Sequence, residues 1–96
     1  MGWIYDLERG EQNLTRHGVG LRLAALVFDD ARAATRPDPT ASDNSRSLTL
    51  GRPVASSPVL LLVLHATAPD HDGRGRILGA RRATPAEREA YESAQY

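Results

Sequence analysis

The stretch from Arg76 to Tyr91, Arg-Ile-Leu-Gly-Ala-Arg-Arg-Ala-Thr-Pro-Ala-Glu-Arg-Glu-Ala-Tyr, constrains this chain more than any other. It reads as the end of a strand that turns directly into a helix. Thr84 is a good N-cap, because its hydroxyl can accept from a free N–H of the first turn. Pro85 follows at the first helical position, where a missing N–H costs nothing. Glu87, three residues after Thr84, can reach back to the cap N–H and complete a capping box. Just upstream, Arg76, Arg81 and Arg82 cluster at the strand end. Guanidinium groups there suit a phosphate, which Arg grips with two parallel hydrogen bonds.

The rest of the chain supplies a sheet and helices to cover it. Trp3-Ile4-Tyr5 is a short β-prone run expected at a sheet edge. Asp6 can cap a helix from Leu7 to about Arg16, with Leu7, Glu11 and Leu14 on one face and Gly18 as a left-handed stop. A second helix is expected over Gly20 to Phe28, its apolar stripe formed by Val19, Leu23, Leu26 and Val27. Ala31 to Arg36 reads as a weak strand, and the Pro-, Ser- and Asp-rich segment from Pro37 to Ser45 as a loop. Arg46 to Arg52 alternates as a strand. Val59 to Leu64, apolar on both faces, is the expected central strand. Thr67 to Gly75 is a polar hairpin loop, and Gly75 to Arg81 the strand that leads into the last helix. The expected architecture is one α+β domain over residues 1–96: an antiparallel sheet of about four strands, packed with two N-terminal helices and one C-terminal helix.

Composition narrows the function classes. There is no cysteine, hence no disulfide framework or thiolate metal site, which fits a reducing cytosol. No secretory signal is legible at Met1 to Tyr5, and the run from Val59 to Leu64 is far too short to span a bilayer. All twelve basic residues are Arg and the formal net charge is zero, so any nucleic-acid site must be a local patch. His17, His65 and His71 fall on different elements, so no metal site is expected, and no cofactor motif is present.

Three features carry possible chemistry. The arginines Arg46, Arg52, Arg76, Arg81 and Arg82 fall on neighbouring strands and could bind a phosphodiester and stabilise charge in its transition state, or pair with Asp and Glu. His17 and His65 are candidate acid–base groups, since histidine is the side chain that ordinarily titrates near neutral pH; each could equally serve as a helix-end or partly buried structural residue. Tyr91, four residues after Glu87, could pass a proton or hold a phosphate oxygen, or pack its ring on the sheet. Glu87 is explained by its capping position.

Three separated motifs converge on one family. Tyr5-Asp6-x-x-Arg9-x-x-x-Asn13-x-x-Arg16-His17-Gly18-Val19, continued by Leu21-x-x-Ala24-x-x-Val27-Phe28-x-Asp30, resembles the N-terminal pattern of BrnT-type toxins. Arg46-x-x-x-x-Gly51 is similar to that family's middle strand. Arg76-Ile-Leu-Gly-Ala-Arg81-Arg82-Ala83-Thr84-x-x-Glu87-Arg88-x-x-Tyr91 resembles its closing motif. The chain departs from the pattern at Tyr5, Ser47 and Gly79, and in the loop from Thr67 to Gly75.

The resemblance implies a RelE-like fold and the toxin half of a bacterial type II toxin–antitoxin pair. It implies an endoribonuclease that needs no metal, inhibits growth by cleaving RNA, and is neutralised by a BrnA-type ribbon-helix-helix antitoxin. Operator DNA would be contacted only through that antitoxin, in a toxin–antitoxin tetramer in the cytoplasm, away from membranes. On this reading Arg46, Arg76 and Arg81 carry catalysis, with Arg52 and Arg82 holding RNA, His17 or His65 as the base and Tyr91 as a supporting donor. A second reading stays open: a weakly active or inactive relative that keeps the antitoxin-facing surface and has its arginines locked in salt bridges.

Overall fold

The computed structural model describes residues 2–96. Its strands are β1 (Trp3–Ile4), β2 (Ala34–Pro37), β3 (Arg46–Gly51), β4 (Leu61–Ala66) and β5 (Gly75–Arg82). They form one five-stranded sheet in the order β1-β5-β4-β3-β2, so the apolar β4 is central. The expected purely antiparallel sheet of about four strands is corrected on one point. Trp3-Ile4 does lie at an edge, but it adds a fifth strand and runs parallel to β5. A parallel neighbour needs a long crossover. Here everything between β1 and β5 provides it.

The helices are α1 (Leu7–His17), α2 (Leu21–Ala25) and α3 (Pro85–Glu92). The local signals at their ends behave as chemistry requires. Asp6 accepts from the Glu8 N–H, and Gly18 closes α1 in the left-handed region at φ 70°, where a side chain is strained. The capping box of α3 is complete in both directions. The second helix is shorter than its periodicity implies: it ends at Ala25 and tightens into a 3-10 turn over Leu26–Asp29.

The buried faces of the first two helices differ from the expected stripes. Leu7 and Leu14 are exposed, as are Leu23 and Leu26, while Val19, Leu21, Ala24 and Val27 are buried. The reason is polar. α1 is held to β5 by Asn13, whose amide donates to the carbonyls of Val19 (2.8 Å) and Ala80 (2.9 Å) and accepts from the Ala80 N–H (3.0 Å). Asn13 is buried, so the face of α1 that carries it turns inward, where its amide satisfies three buried backbone groups. The leucines on the other side are left outside.

The sheet separates two cores. On one face Val19, Leu21, Ala24 and Val27 pack on Leu61, Val63, Ile77 and Ala80. On the other, Leu50, Leu60 and Leu62 pack against Tyr91 of α3. In β5 the alternation is broken by a bulge: Leu64 pairs with Gly79 and His65 with Ile77, so Leu78 is the extra residue. The bulge lets Ile77 and Ala80 face the first core while Gly79 and Arg81 face the opposite side.

His65 belongs to the first core. It is buried, and its ring stands edge-on to Trp3 and Phe28, which stack on each other at 3.6 Å. The Trp3 ring lies so close over Gly75 that a Cβ there would meet it at 2.3 Å. Because a carbonyl only accepts, His65 Nδ1–H must donate to Ala66 O (3.0 Å), leaving Nε2 to accept from the Thr49 hydroxyl (2.7 Å). Burial pushes the His65 pKa below 6.5, since the charged ring would lose hydration in the core. The unfolded chain therefore binds this proton first as pH falls. Stability should be flat above pH 6.5 and decline below it, by up to about 1.4 kcal/mol per pH unit, until the folded-state pKa is reached. Urea midpoints between pH 7.5 and 5 read this; the loss should be absent if His65 is charged in the folded protein.

Candidate functional site

The open side of the sheet, beyond the end of α3, forms a groove of about 520 Å³. Leu48, Leu62, Leu64 and Leu78 form its floor. Around them stand Arg16 and His17 from the last turn of α1, Arg36 from β2, Arg81 from β5, and Glu87 from the first turn of α3. The five polar side chains come from four elements. Local signals set two of these placements: Gly18 ends α1 just after His17, and the capping box fixes Glu87.

Arg81 is the best-held cation of the groove. Its Nη1 and Nη2 donate to Glu87 Oε1 (2.8 Å) and Oε2 (2.9 Å), and Nη1 also donates to Arg82 O at 3.2 Å. Hydrogen bonds from Arg81 hold the Glu87 carboxyl below its ordinary range, and the same bonds raise the Arg81 pKa, so both stay charged. On the opposite wall Asp38 accepts from the N–H and hydroxyl of Thr40 and lies 3.7 Å from Arg46 Nε. Those Thr40 bonds hold its carboxyl low. Both carboxylates of the groove are thus occupied by protein donors. Arg36 lies with its guanidinium 4.5 Å above the Tyr96 ring.

The candidate residues read from sequence do not all meet here. His17 and Arg81 line the groove, and Arg46 reaches its wall through Asp38. Arg76 is exposed on β5, five residues from Arg81, roughly 16 Å along a strand, so the two do not share one phosphate. Arg82 is exposed and pairs in register with Leu61, on the side of the sheet away from the groove. His65 is sealed in the opposite core. Tyr91 and Arg52 join a separate cluster: Tyr91 Oη donates to Asp30 Oδ2 (2.6 Å), which also accepts from Arg52 N–H (2.8 Å). The Tyr91 hydroxyl pKa is raised, by burial and then by that bond. This cluster ties α3 to the turn before β2.

Arg16, Arg36 and Asn13 were not singled out by sequence reasoning, and Glu87 was read as a cap alone. Arg16 could have been found beside His17 at a helix end. Arg36 could not, because its place in the groove depends on the pairing of β2 with β3. Among the described residues no group of three His, Cys, Asp or Glu could hold a metal, and no helix is long and apolar enough to cross a membrane.

A mixed sheet with its N-terminal helices on one face and an arginine-rimmed groove on the other defines a small α+β domain. The comparisons with known proteins are specific. The family described as "Ribonuclease toxin, BrnT, of type II toxin-antitoxin system" matches residues 5–87. The 1.1 Å crystal structure of the Brucella abortus ribonuclease toxin BrnT superimposes with a TM-score of 0.63 at 15% identity, covering 88% of this chain and 99% of that one. At that identity the likeness speaks for the fold alone. A search of curated proteins finds no significant match. The chain belongs to the BrnT family of type II toxin–antitoxin ribonuclease toxins.

Proposed function

We propose that this protein is an endoribonuclease toxin whose reaction takes place in the groove between α1 and α3, without a metal ion. The observation that carries the reading is the meeting of His17 with Arg16, Arg36 and Arg81 over an open leucine floor. These are the groups a phosphodiester transfer needs. The ribose 2′-OH attacks the adjacent phosphorus as His17 takes its proton. The P–O5′ bond breaks, and the 5′ oxygen leaves protonated, by His17 in its charged form or by water. Arg81 and its neighbours stabilise the extra negative charge on phosphorus. The product is a cyclic phosphate and a free 5′-OH, so DNA, lacking the 2′-OH, is not cut. His17 is favoured over His65 as the base, because His65 is buried and both its ring nitrogens are engaged. Arg76 and Arg82, both exposed, would hold flanking RNA rather than the reacting phosphate.

The partner we infer is a BrnA-type ribbon-helix-helix antitoxin, which would carry the DNA contacts of a toxin–antitoxin tetramer. A second reading keeps partner binding without cleavage. It is favoured by the ion pairs of Arg81 with Glu87 and of Arg46 with Asp38. Induced expression separates the two. Growth arrest with loss of total RNA on a gel is expected from the wild type. His17→Ala should slow cleavage by the purified protein about 10²–10⁴-fold, as loss of a general base does, with a chelator making no difference. No arrest from soluble, folded wild type would sink the ribonuclease reading.

A further inference from the structure

We propose that Glu87 is a positioning residue for this reaction: it turns Arg81 so that one edge of the guanidinium, Nε–H together with the outer Nη2–H, is left to grip the reacting phosphate. The inference rests on the ribonuclease reading and says how the groove's best-held cation is aimed.

Capping alone does not account for Glu87. Its Oε1 accepts from the Thr84 N–H at 2.8 Å, which completes the box. A pure cap would leave Oε2 to solvent, yet Oε2 accepts from Arg81 Nη2 and Oε1 accepts a second bond from Nη1. A guanidinium has five N–H groups in one plane. Two go to Glu87 and a third to Arg82 O. The remaining two, on Nε and Nη2, lie on the same edge of the plane and have no acceptor among the described residues. Two parallel donors on one edge match two non-bridging oxygens of a phosphate.

Burial points the same way. The Arg81 side chain is 40% exposed and that of Glu87 15%, so the carboxylate sits behind and the guanidinium in front. Glu87 cannot follow Arg81 outward, because its Oε1 is held by the Thr84 backbone N–H at 2.8 Å at the start of a helix that Pro85 opens. The rotamer freedom that a long cation loses on binding is therefore already lost in the free protein, which is what preorganised electrostatic stabilisation requires. The Arg81–Glu87 salt bridge is then the device that aims the fork.

The test uses purified full-length wild type, Glu87→Gln, Thr84→Ala, Arg81→Ala and the Arg81→Ala/Glu87→Gln double variant. Glutamine still completes a capping box but offers one acceptor oxygen, so it cannot hold both Nη groups. Thr84→Ala weakens the cap and spares the pair. On single-stranded RNA, Glu87→Gln should lower kcat about 10-fold or more while KM stays within about 3-fold, the pattern of a transition-state interaction. Thr84→Ala should lower Tm and leave kcat near wild type. The double variant should be no slower than Arg81→Ala, because Glu87 acts only through Arg81. A second readout is the Arg81 Nε–H resonance in ¹H–¹⁵N spectra, which an uncleavable 2′-deoxy oligonucleotide should shift in wild type and not in Glu87→Gln. Wild-type cleavage by Glu87→Gln, full multiplication of its loss with that of Arg81→Ala, or an unmoved Arg81 resonance overturns the proposal. If wild type cuts no RNA, the ribonuclease reading falls and the spectra decide alone. A shift abolished by Glu87→Gln then upholds the aimed fork, and no shift overturns it.

Discussion

Arg81→Ala is expected to leave the chain folded and to lower RNA cleavage by about 10²–10³-fold, the usual loss when one preorganised donor to a developing oxyanion is removed. The fold should survive, because Arg81 is part-exposed and its hydrogen bonds are to Glu87 and to the Arg82 carbonyl at the groove's rim. Glu87 keeps the Thr84 N–H after the substitution, so α3 keeps its cap. Arg81→Lys should recover little, since an ammonium is a point charge without a two-pronged edge. Growth after induced expression gives the cellular readout and a timed cleavage assay the magnitude. Unchanged killing by Arg81→Ala at equal expression would remove Arg81 from the site.

Asn13→Ala is expected to be the most destabilising single change in the molecule short of the leucine core. It strips partners from the Ala80 N–H and from the carbonyls of Val19 and Ala80, all at a buried position. Each buried polar group left unpaired costs about 1–3 kcal/mol, so a loss of roughly 3 kcal/mol or more is reasonable. In a domain of this size that lowers Tm by more than about 10 °C. Asn13→Asp separates the hydrogen-bond account from mere packing. Aspartate keeps the acceptor for the Ala80 N–H, but places a carboxylate oxygen against two carbonyl oxygens where the amide had donated. It should be at least as damaging as alanine although it is nearly isosteric. A thermal melt of both variants decides this; a mild effect of Asn13→Asp would mean the clamp is not what docks α1. Because α1 also carries Arg16 and His17, Asn13→Ala should loosen the groove as well as the core.

The two substitutions divide along the line between local and long-range information. What the sequence determined by itself was local: the cap of α1 at Asp6, the left-handed stop at Gly18, the capping box at Thr84 and Glu87, and the apolar β4 at the centre of the sheet. Such features need only neighbours within a few residues, so composition and spacing are enough. Family membership was legible for a related reason, since three ordered motifs along the chain sufficed to mark it. The tertiary structure alone decided the rest. The outward turn of Leu7 and Leu14 follows from Asn13 bonding to residues as distant as Ala80, a contact no periodicity announces. His65 and His17 looked alike as candidates. They part because β4 carries one beneath Trp3 and Phe28, while the end of α1 leaves the other at the groove. Arg76 and Arg81 share a motif yet stand apart, because an extended strand spends about 3.3 Å on every residue. Arg36 and Arg81, distant in sequence, line one groove because strand pairing sets register across the sheet.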